Sequence, residues 1–291
     1  PMEFIMKIKN LGVSSGAVPP EYGGEGEGIG EEKDKRGVRQ INRFLIIAVE
    51  ELSWGDAGVF LSTPGPGLGA APILFMGTAE QKKRFFGMFK DSEPKWGAYA
   101  LTEPGAGTDV ANISTTAVKN GNHYILNGRK CFITNGAKAS WCVVFATVDK
   151  NLGRAGHRAF VVEKGTPGFS VGRIEKKMGL RAWETTELVF EDCRVHKDNL
   201  LGGEERYQAK EGFHTAMQTF DATRPMVAVM GLGIARAAYE YARDYAKQRY
   251  QFGRPIARYR AIADMLAEMA RELDAARLMC WHAAWMADER I

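Results

Sequence analysis

Tyr99-Ala-Leu-Thr-Glu-Pro-Gly-Ala-Gly-Thr-Asp109 closes an apolar run, Trp96 to Leu101, that reads as a strand. The stretch is rich in glycine, but it is no phosphate loop. No Lys follows the glycines, and no helical pattern opens behind them. Thr102, Glu103, Thr108 and Asp109 offer polar groups around a Pro-Gly turn. Gly105 and Gly107 carry no Cβ, so backbone N–H groups there can approach a flat polar ligand. A tight surface turn between two strands fits the same residues.

Downstream of this stretch the pattern is all β. Residues 95–200 read as short strands with turn residues between them: Ser114 to Lys119, His123 to Lys130, Trp141 to Val148, Ala159 to Glu163, Phe169 to Lys176 and Glu187 to Asp192. Gly121-Asn122 and Thr166-Pro167-Gly168 are turns. Asn127-Gly128 is a hairpin signal that breaks the second of these strands. Trp141 to Val148 is apolar throughout, as in a strand buried on both faces. Strands so spaced, with no helices between them, point to a barrel or a sandwich.

Upstream and further downstream the period is helical. Ile41, Phe44, Leu45, Ala48, Val49 and Leu52 form one stripe of a helix, which Ser62-Thr63-Pro64-Gly65 breaks off. Thr78 can cap a helix over Ala79 to Lys90, with Phe85, Met88 and Phe89 toward a core. Arg224 to Tyr250 is a long helical pattern, with Asp221 or Thr223 as N-cap and Pro225 near its first position. Ile262 to Asp288 is a second, and the two read as an antiparallel hairpin of a bundle. Two helices cannot close a bundle, so missing C-terminal helices, other subunits or both must cover their stripes. Before residue 41, Val18 to Gly24 reads as a rigid turn and glycine hinge, and Glu25 to Arg36 as a solvated charged run. The expected fold is α+β and multidomain. It has a partial N-terminal helical domain (1–94), a middle β domain (95–204) and an incomplete C-terminal helical bundle (205–291).

Composition narrows the function. Lys+Arg number 39 against 35 Asp+Glu, a formal charge of +4 that argues for no nucleic-acid partner. No apolar run approaches the roughly 18 residues of a membrane span. Cys131, Cys142, Cys193 and Cys280 are scattered, which fits reduced thiols in a cytosolic-type compartment, a bacterial cytoplasm or a mitochondrial matrix. His123, His157, His196, His214 and His282 show no i, i+4 pairing, so no metal is expected. The chain opens on Pro1 and stops on Ile291 straight after a helical pattern, which suggests a fragment at both ends.

Seven segments, in order, carry a resemblance. Tyr99 to Asp109, Leu126-Asn-Gly-Arg-Lys130 with Phe132-Ile-Thr-Asn-Gly136, Lys177-Met-Gly-Leu-Arg181, Phe190 to Val195, Asn199-Leu-Leu-Gly202, Phe220-Asp-Ala-Thr-Arg-Pro225 and Arg249-Tyr-Gln-Phe-Gly253 resemble the acyl-CoA dehydrogenase family. The match runs from about Pro19 to the C-terminus. It implies helical, β and four-helix-bundle domains, a homotetramer and bound FAD. The implied reaction, in fatty-acid metabolism, turns an acyl-CoA thioester into the trans-2-enoyl-CoA. A carboxylate takes the α-proton, the thioester oxygen is held by donors, and flavin N5 takes the β hydride. An electron-transfer flavoprotein or similar acceptor is the implied partner.

The resemblance also implies roles. Tyr99, Leu101, Thr102, Gly107 and Thr108 would hold the flavin, and Thr108 would also meet the CoA arm. Phe132, Ile133 and Thr134 would lie along the isoalloxazine. Asp221, Thr223 and Arg224 would line the substrate site, with Arg224 buried. Arg249, Gln251 and Phe252 would touch the FAD pyrophosphate or adenine, of a neighbouring subunit. Plainer roles exist for several: a turn Thr at 108, helix caps at 221 and 223, a helix-end Arg at 249. Two positions depart from the family. Its catalytic Glu follows the last helices, beyond Ile291, or in a subset stands where this chain has Thr223, which is not a base. Arg260 stands where a Gln is common. A chain lacking its C-terminal segment is the first expectation. A non-catalytic flavin or acyl-CoA binder, or a flavin oxidase or monooxygenase on this scaffold, is the alternative.

Overall fold

The computed structural model describes residues 2–10, 18–22, 41–90, 93–208 and 211–289. Its helices are α1 (Met2–Asn10), α2 (Ile41–Leu61), α3 (Ala70–Met76), α4 (Ala79–Gly87), α5 (Gly203–Gln208), α6 (Glu211–Gln248) and α7 (Arg260–Glu289). Its strands are β1 (Gly97–Ala100), β2 (Thr116–Asn120), β3 (His123–Thr134), β4 (Trp141–Thr147), β5 (His157–Glu163), β6 (Phe169–Ile174), β7 (Thr185–His196), β8 (Tyr250–Gln251) and β9 (Arg254–Pro255). The chain divides into two units, Pro1–Gly26 with Leu61–Phe220 and Glu27–Phe60 with Asp221–Ile291. The expected turn at 18–24 falls only partly within the described residues, and the charged run at 25–36 lies outside them.

In the first unit, β1 to β7 make one sheet in the order β1-β4-β2-β3-β7-β6, with β5 on β4. A single seven-stranded sheet corrects the expected barrel or sandwich. All seven residues of β4 are buried, as its unbroken apolar run requires. What covers it is helical: Ile73 and Met76 of α3 and Phe85 and Phe86 of α4 share a core with Trp141, Val143, Phe145 and Val161. Thr78 begins α4 with a capping box. Gln81 N–H donates to Thr78 Oγ1 at 3.3 Å, and Thr78 N–H donates to Gln81 Oε1 at 3.0 Å.

The hairpin expected at Asn127-Gly128 does not form, and β3 runs straight through it. Leu126 pairs with Cys193 and Gly128 with Phe190, which is a register shift and not a reversal. Gly128 sits at φ +151°, and a Cβ there would lie 2.5 Å from Thr115 Oγ1. The glycine answers to a close neighbour. The chain reverses instead at Gly121-Asn122, between the antiparallel β2 and β3.

The second unit corrects the picture of a bundle short of helices. Ile46 and Val49 of α2 pack with Val229 and Leu232 of α6 and with Cys280 and Ala284 of α7. A helix from early in the sequence thus covers part of the apolar stripes of α6 and α7, while Met265, Met269 and Met279 of α7 stay exposed. α2 breaks at Asp56 (φ −165°, ψ 106°), whose carboxylate accepts from Val59 N–H at 2.9 Å and so restarts the helix. α6 begins at Glu211, so Asp221 and Thr223 are interior residues and not caps. Pro225 also lies inside the helix, where it forfeits one of many ladder hydrogen bonds. Among the described residues, no helix is long and apolar enough to cross a membrane.

Candidate functional site

The glycine-rich stretch leaves β1 and turns back at once. Glu103 and Ala106 exchange two backbone hydrogen bonds of 3.1 Å around Pro104-Gly105. Leu101, Glu103 and Ala106 are buried, Thr102 is half-buried, and Gly107, Thr108 and Asp109 are exposed. A Cβ at Gly105 or Gly107 would meet no atom within 4 Å, and neither residue has positive φ. The fold itself therefore leaves open space over both. Tyr99 lies on β1, half-buried, its ring 5.3 Å from that of Phe145. Burial pushes its phenol above the usual range.

Beside this loop, β3 makes a bulge. Lys130 pairs with Leu188 and Ile133 with Thr186, so Cys131 and Phe132 face the single residue Glu187. Two consecutive residues, Lys130 and Cys131, are buried as a result, and Phe132 is turned outward at φ +58° with 63% of its surface exposed. A bulky residue in this left-handed region costs on the order of 1–3 kcal/mol. An exposed ring held at that cost is the clearest sign of a ligand surface in the unit. Thr134, two residues on, is half-buried, while Ile133 between them is in the core.

Loop and bulge are locked together. Lys130 Nζ donates to Leu101 O at 3.0 Å and to Glu103 Oε1 at 2.7 Å, and Cys131 N–H donates to Thr102 O at 2.9 Å. Ser114 donates to Glu103 Oε2 through its N–H (2.5 Å) and its hydroxyl (2.6 Å), and Thr115 N–H donates to Oε1 at 3.0 Å. Both charged side chains are almost wholly buried. Burial would raise the Glu103 carboxyl, but the Lys130 charge and the four donors outweigh it and hold it at about 2. Burial pushes the Lys130 ammonium down to about 8, against the pull of Glu103, so the pair is ionised at neutral pH.

The site residues expected from sequence divide accordingly. Tyr99, Leu101, Thr102, Gly107, Thr108, Phe132, Ile133 and Thr134 gather around the β1 exit and the β3 bulge. There the side chains of Leu101 and Ile133 are core, and their carbonyls already accept from Lys130 Nζ and Thr186 Oγ1. In the second unit, Thr223 is half-buried and Arg224 is exposed, which corrects its expected burial. The side chain of Asp221 lies outside the described residues. Arg249, Gln251 and Phe252 are exposed at the β8–β9 hairpin, whose turn residues Phe252 and Gly253 have φ of +50° and +76°. Tyr259 Oη donates to Gln251 O at 2.8 Å and steadies that turn. The lock formed by Glu103, Lys130, Ser114 and Thr115 was missed from sequence. Its one signal was a Lys on the strand face that also carries Tyr124 and Leu126.

An isoalloxazine has apolar faces and polar edges, and the site suits it. Phe132 offers a face, Thr102 and Thr134 offer hydroxyls, and open space lies over Gly105 and Gly107. Comparison with known proteins gives the family. The acyl-CoA dehydrogenase N-terminal, middle and C-terminal domains match residues 1–89, 98–193 and 210–291. The match of the C-terminal domain to residues 210–291 corrects the expectation of a chain lacking its C-terminal segment. The chain is similar to an acyl-CoA dehydrogenase of Bacillus subtilis, 42% identical over 98% of this chain and 70% of that protein. It is also similar to the butyryl-CoA dehydrogenase of Megasphaera elsdenii, with a TM-score of 0.85 and 41% identity over 99% of this chain and 72% of that one. A structure described as the electron transferring flavoprotein of Acidaminococcus fermentans matches with a TM-score of 0.86 and 43% identity over 99% and 71%. With all three domains matched in order, the chain belongs to the acyl-CoA dehydrogenase family, FAD-dependent oxidoreductases that remove hydrogen from the α and β carbons of acyl-CoA thioesters.

Proposed function

We propose that this protein binds FAD on the β1 exit and the β3 bulge and dehydrogenates a short acyl-CoA to its trans-2-enoyl-CoA. The observation that carries the reading is Phe132, exposed and held at a left-handed φ beside an open glycine turn. FAD, when bound, supplies the hydride acceptor. The residues of this chain bind and orient. Phe132 stacks on the flavin ring, Thr134 and Thr102 hydrogen-bond its polar edge, and Tyr99 and the main chain of Leu101 and Ile133 back it. Gly107 lets the cofactor approach, and Thr108 also meets the CoA arm. Asp221, Thr223 and Arg224 line the acyl site. Thr223 holds no proton-accepting charge at neutral pH, so its part is to bind. Arg249, Gln251 and Phe252 contact the dinucleotide end of the FAD of a neighbouring subunit.

The Megasphaera relative acts on butyryl-CoA, which makes that thioester the first substrate to test. A homotetramer is supported by apolar side chains left open on α7, among them Met265, Leu278, Met279 and Trp281. An electron-transfer flavoprotein as acceptor accords with the family. The test is spectroscopic. The full-length protein should carry a flavin spectrum that bleaches promptly when butyryl-CoA is added without oxygen. No flavin absorbance, or no bleaching with acyl-CoAs of any chain length, would overturn the reading. Peroxide formed on readmitting air at a rate near that of reduction would mark an oxidase instead.

Phe132→Ala gives a sharper check. The ring is exposed, so stability should move by less than about 1 kcal/mol. Losing an aromatic stack of about 1–1.5 kcal/mol should weaken FAD binding about tenfold. Titrating FAD into the apoprotein measures it. Unchanged affinity in a folded variant would remove Phe132 from the site.

A further inference from the structure

We propose that Lys130 is a positioning residue that fixes the flavin-facing edge by tying loop residues Leu101 to Glu103 to the bulge that presents Phe132; this rests on the FAD reading above. The tie is unusually complete. Three consecutive loop residues are bound to two consecutive strand residues: Leu101 O and the Glu103 carboxylate to Lys130 Nζ, and Thr102 O to Cys131 N–H. The very next residue is Phe132. The spacing between the β1 exit and the exposed ring is therefore set by one buried ammonium and one backbone hydrogen bond.

The charges make the tie rigid. Lys130 has 0% of its side chain exposed and Glu103 1%, so neither can turn to water if the loop shifts. An ion separated from its partner in such surroundings is strongly disfavoured. Glu103 is anchored a second time, by the N–H and hydroxyl of Ser114 and the N–H of Thr115, so the loop cannot follow a drifting lysine. Every hydrogen bond of the carboxylate is made within the protein, a network that specifies one arrangement. None of these groups is turned outward as Phe132 is. Their part is to hold the residues that meet the cofactor.

Two variants of the full-length protein test this. Lys130→Met removes the donor to Leu101 O and strands the Glu103 charge. It should weaken FAD binding to the apoprotein at least tenfold and lower the melting temperature. Because this variant can fail through misfolding alone, the double variant Lys130→Met/Glu103→Gln removes both charges and keeps one acceptor oxygen, which serves the N–H and hydroxyl of Ser114 at the loss of the Thr115 hydrogen bond. Its melting temperature should return most of the way to that of the parent, while FAD affinity stays at least tenfold down, because Leu101 O still lacks its donor. The visible circular dichroism of the bound flavin should differ from that of the parent in the same variant. Recovery of affinity along with melting temperature would overturn the proposal and leave the pair a merely structural one. A parent protein that takes up no FAD would overturn the functional reading and this proposal together. A parent that binds FAD, beside a Lys130→Met variant that binds it equally well, would overturn the proposal alone.

Discussion

Trp141→Ala is expected to cost about 3–5 kcal/mol of stability and to reduce flavin occupancy with it. Trp141 is fully buried at the start of β4. Its ring meets Phe89 edge-on at 5.8 Å and Phe85 at 6.3 Å, and its Nε1–H donates to Phe85 O at 3.2 Å. The slot is cut to its shape. A Cβ on Gly69 would lie 2.5 Å from Trp141 Cζ3, and one on Gly97 would lie 2.7 Å from Cη2. So tight a fit cannot collapse far when the indole is removed. The variant therefore carries both the lost burial and a cavity, and it leaves a buried carbonyl without its donor. Gly97 is also the β1 residue paired with Trp141 in the parallel β1–β4 ladder. Disorder there passes along β1 to Tyr99 and Leu101 at the site. The measurement is thermal unfolding, with a drop of roughly 10 °C expected for a chain of this size. Flavin-to-protein absorbance is read on the same samples. Trp141→Phe, which keeps a ring but not the N–H, should lose about half as much. A Trp141→Ala variant that melts within about 2 °C of the parent would show that the slot is not what joins α4 to the sheet.

The sequence was most informative where a side chain's environment follows from its neighbours along the chain. The unbroken run from Trp141 to Val148 had to be a strand covered on both faces, and it is. Thr78 and Gln81 stand at capping-box spacing and form one. It was least informative where one residue type serves two geometries. Asn127-Gly128 has the composition of a hairpin turn. The same residues also fit a strand interior: Gly128 stays in β3 against Thr115, thirteen residues upstream, and the extra residue of the register shift lies on β7. Phe132, Ile133 and Thr134 are all β-prone residues, so composition does not tell them apart. Only the extra residue of the bulge separates the exposed ring from its buried neighbour. Glu103 and Lys130 are 27 residues apart. Nothing local marks them as a pair, because a buried ion pair is set by tertiary registration. The placement of α2 was hidden for the same reason: chain order assigned it to an N-terminal domain, whereas its packing puts it with α6 and α7.

That placement of α2 yields the second large prediction. Glu50→Ala should cost about 3 kcal/mol and loosen α2, α6 and α7 together. Glu50 is 4% exposed, and its carboxylate accepts from Arg236 Nη1 at 2.8 Å on α6 and from Arg277 Nη2 at 2.9 Å and Nε at 3.2 Å on α7. The helices can come this close because of Gly233, where a Cβ would lie 2.5 Å from Glu50 O. Breaking a buried pair by removing one partner costs about 3–5 kcal/mol, since the other charge is stranded. Here the lower end applies. Arg236 keeps two 2.7 Å hydrogen bonds to Glu51, and Arg277 keeps one of 2.8 Å to Asp274. Those remaining partners are exposed, so what they retain is small. Glu51→Ala is the matched control. It removes a carboxylate from the same arginine but at a side chain 61% exposed, and it should cost less than about 1 kcal/mol. Thermal unfolding separates the two variants, and hydrogen exchange locates the loss. In Glu50→Ala, amides of α2, α6 and α7 should exchange faster together, while those of β4 and β5 should not change. Equal costs for Glu50→Ala and Glu51→Ala would mean that apolar packing of Ile46, Val49, Val229 and Leu232 joins these helices without help from the buried carboxylate.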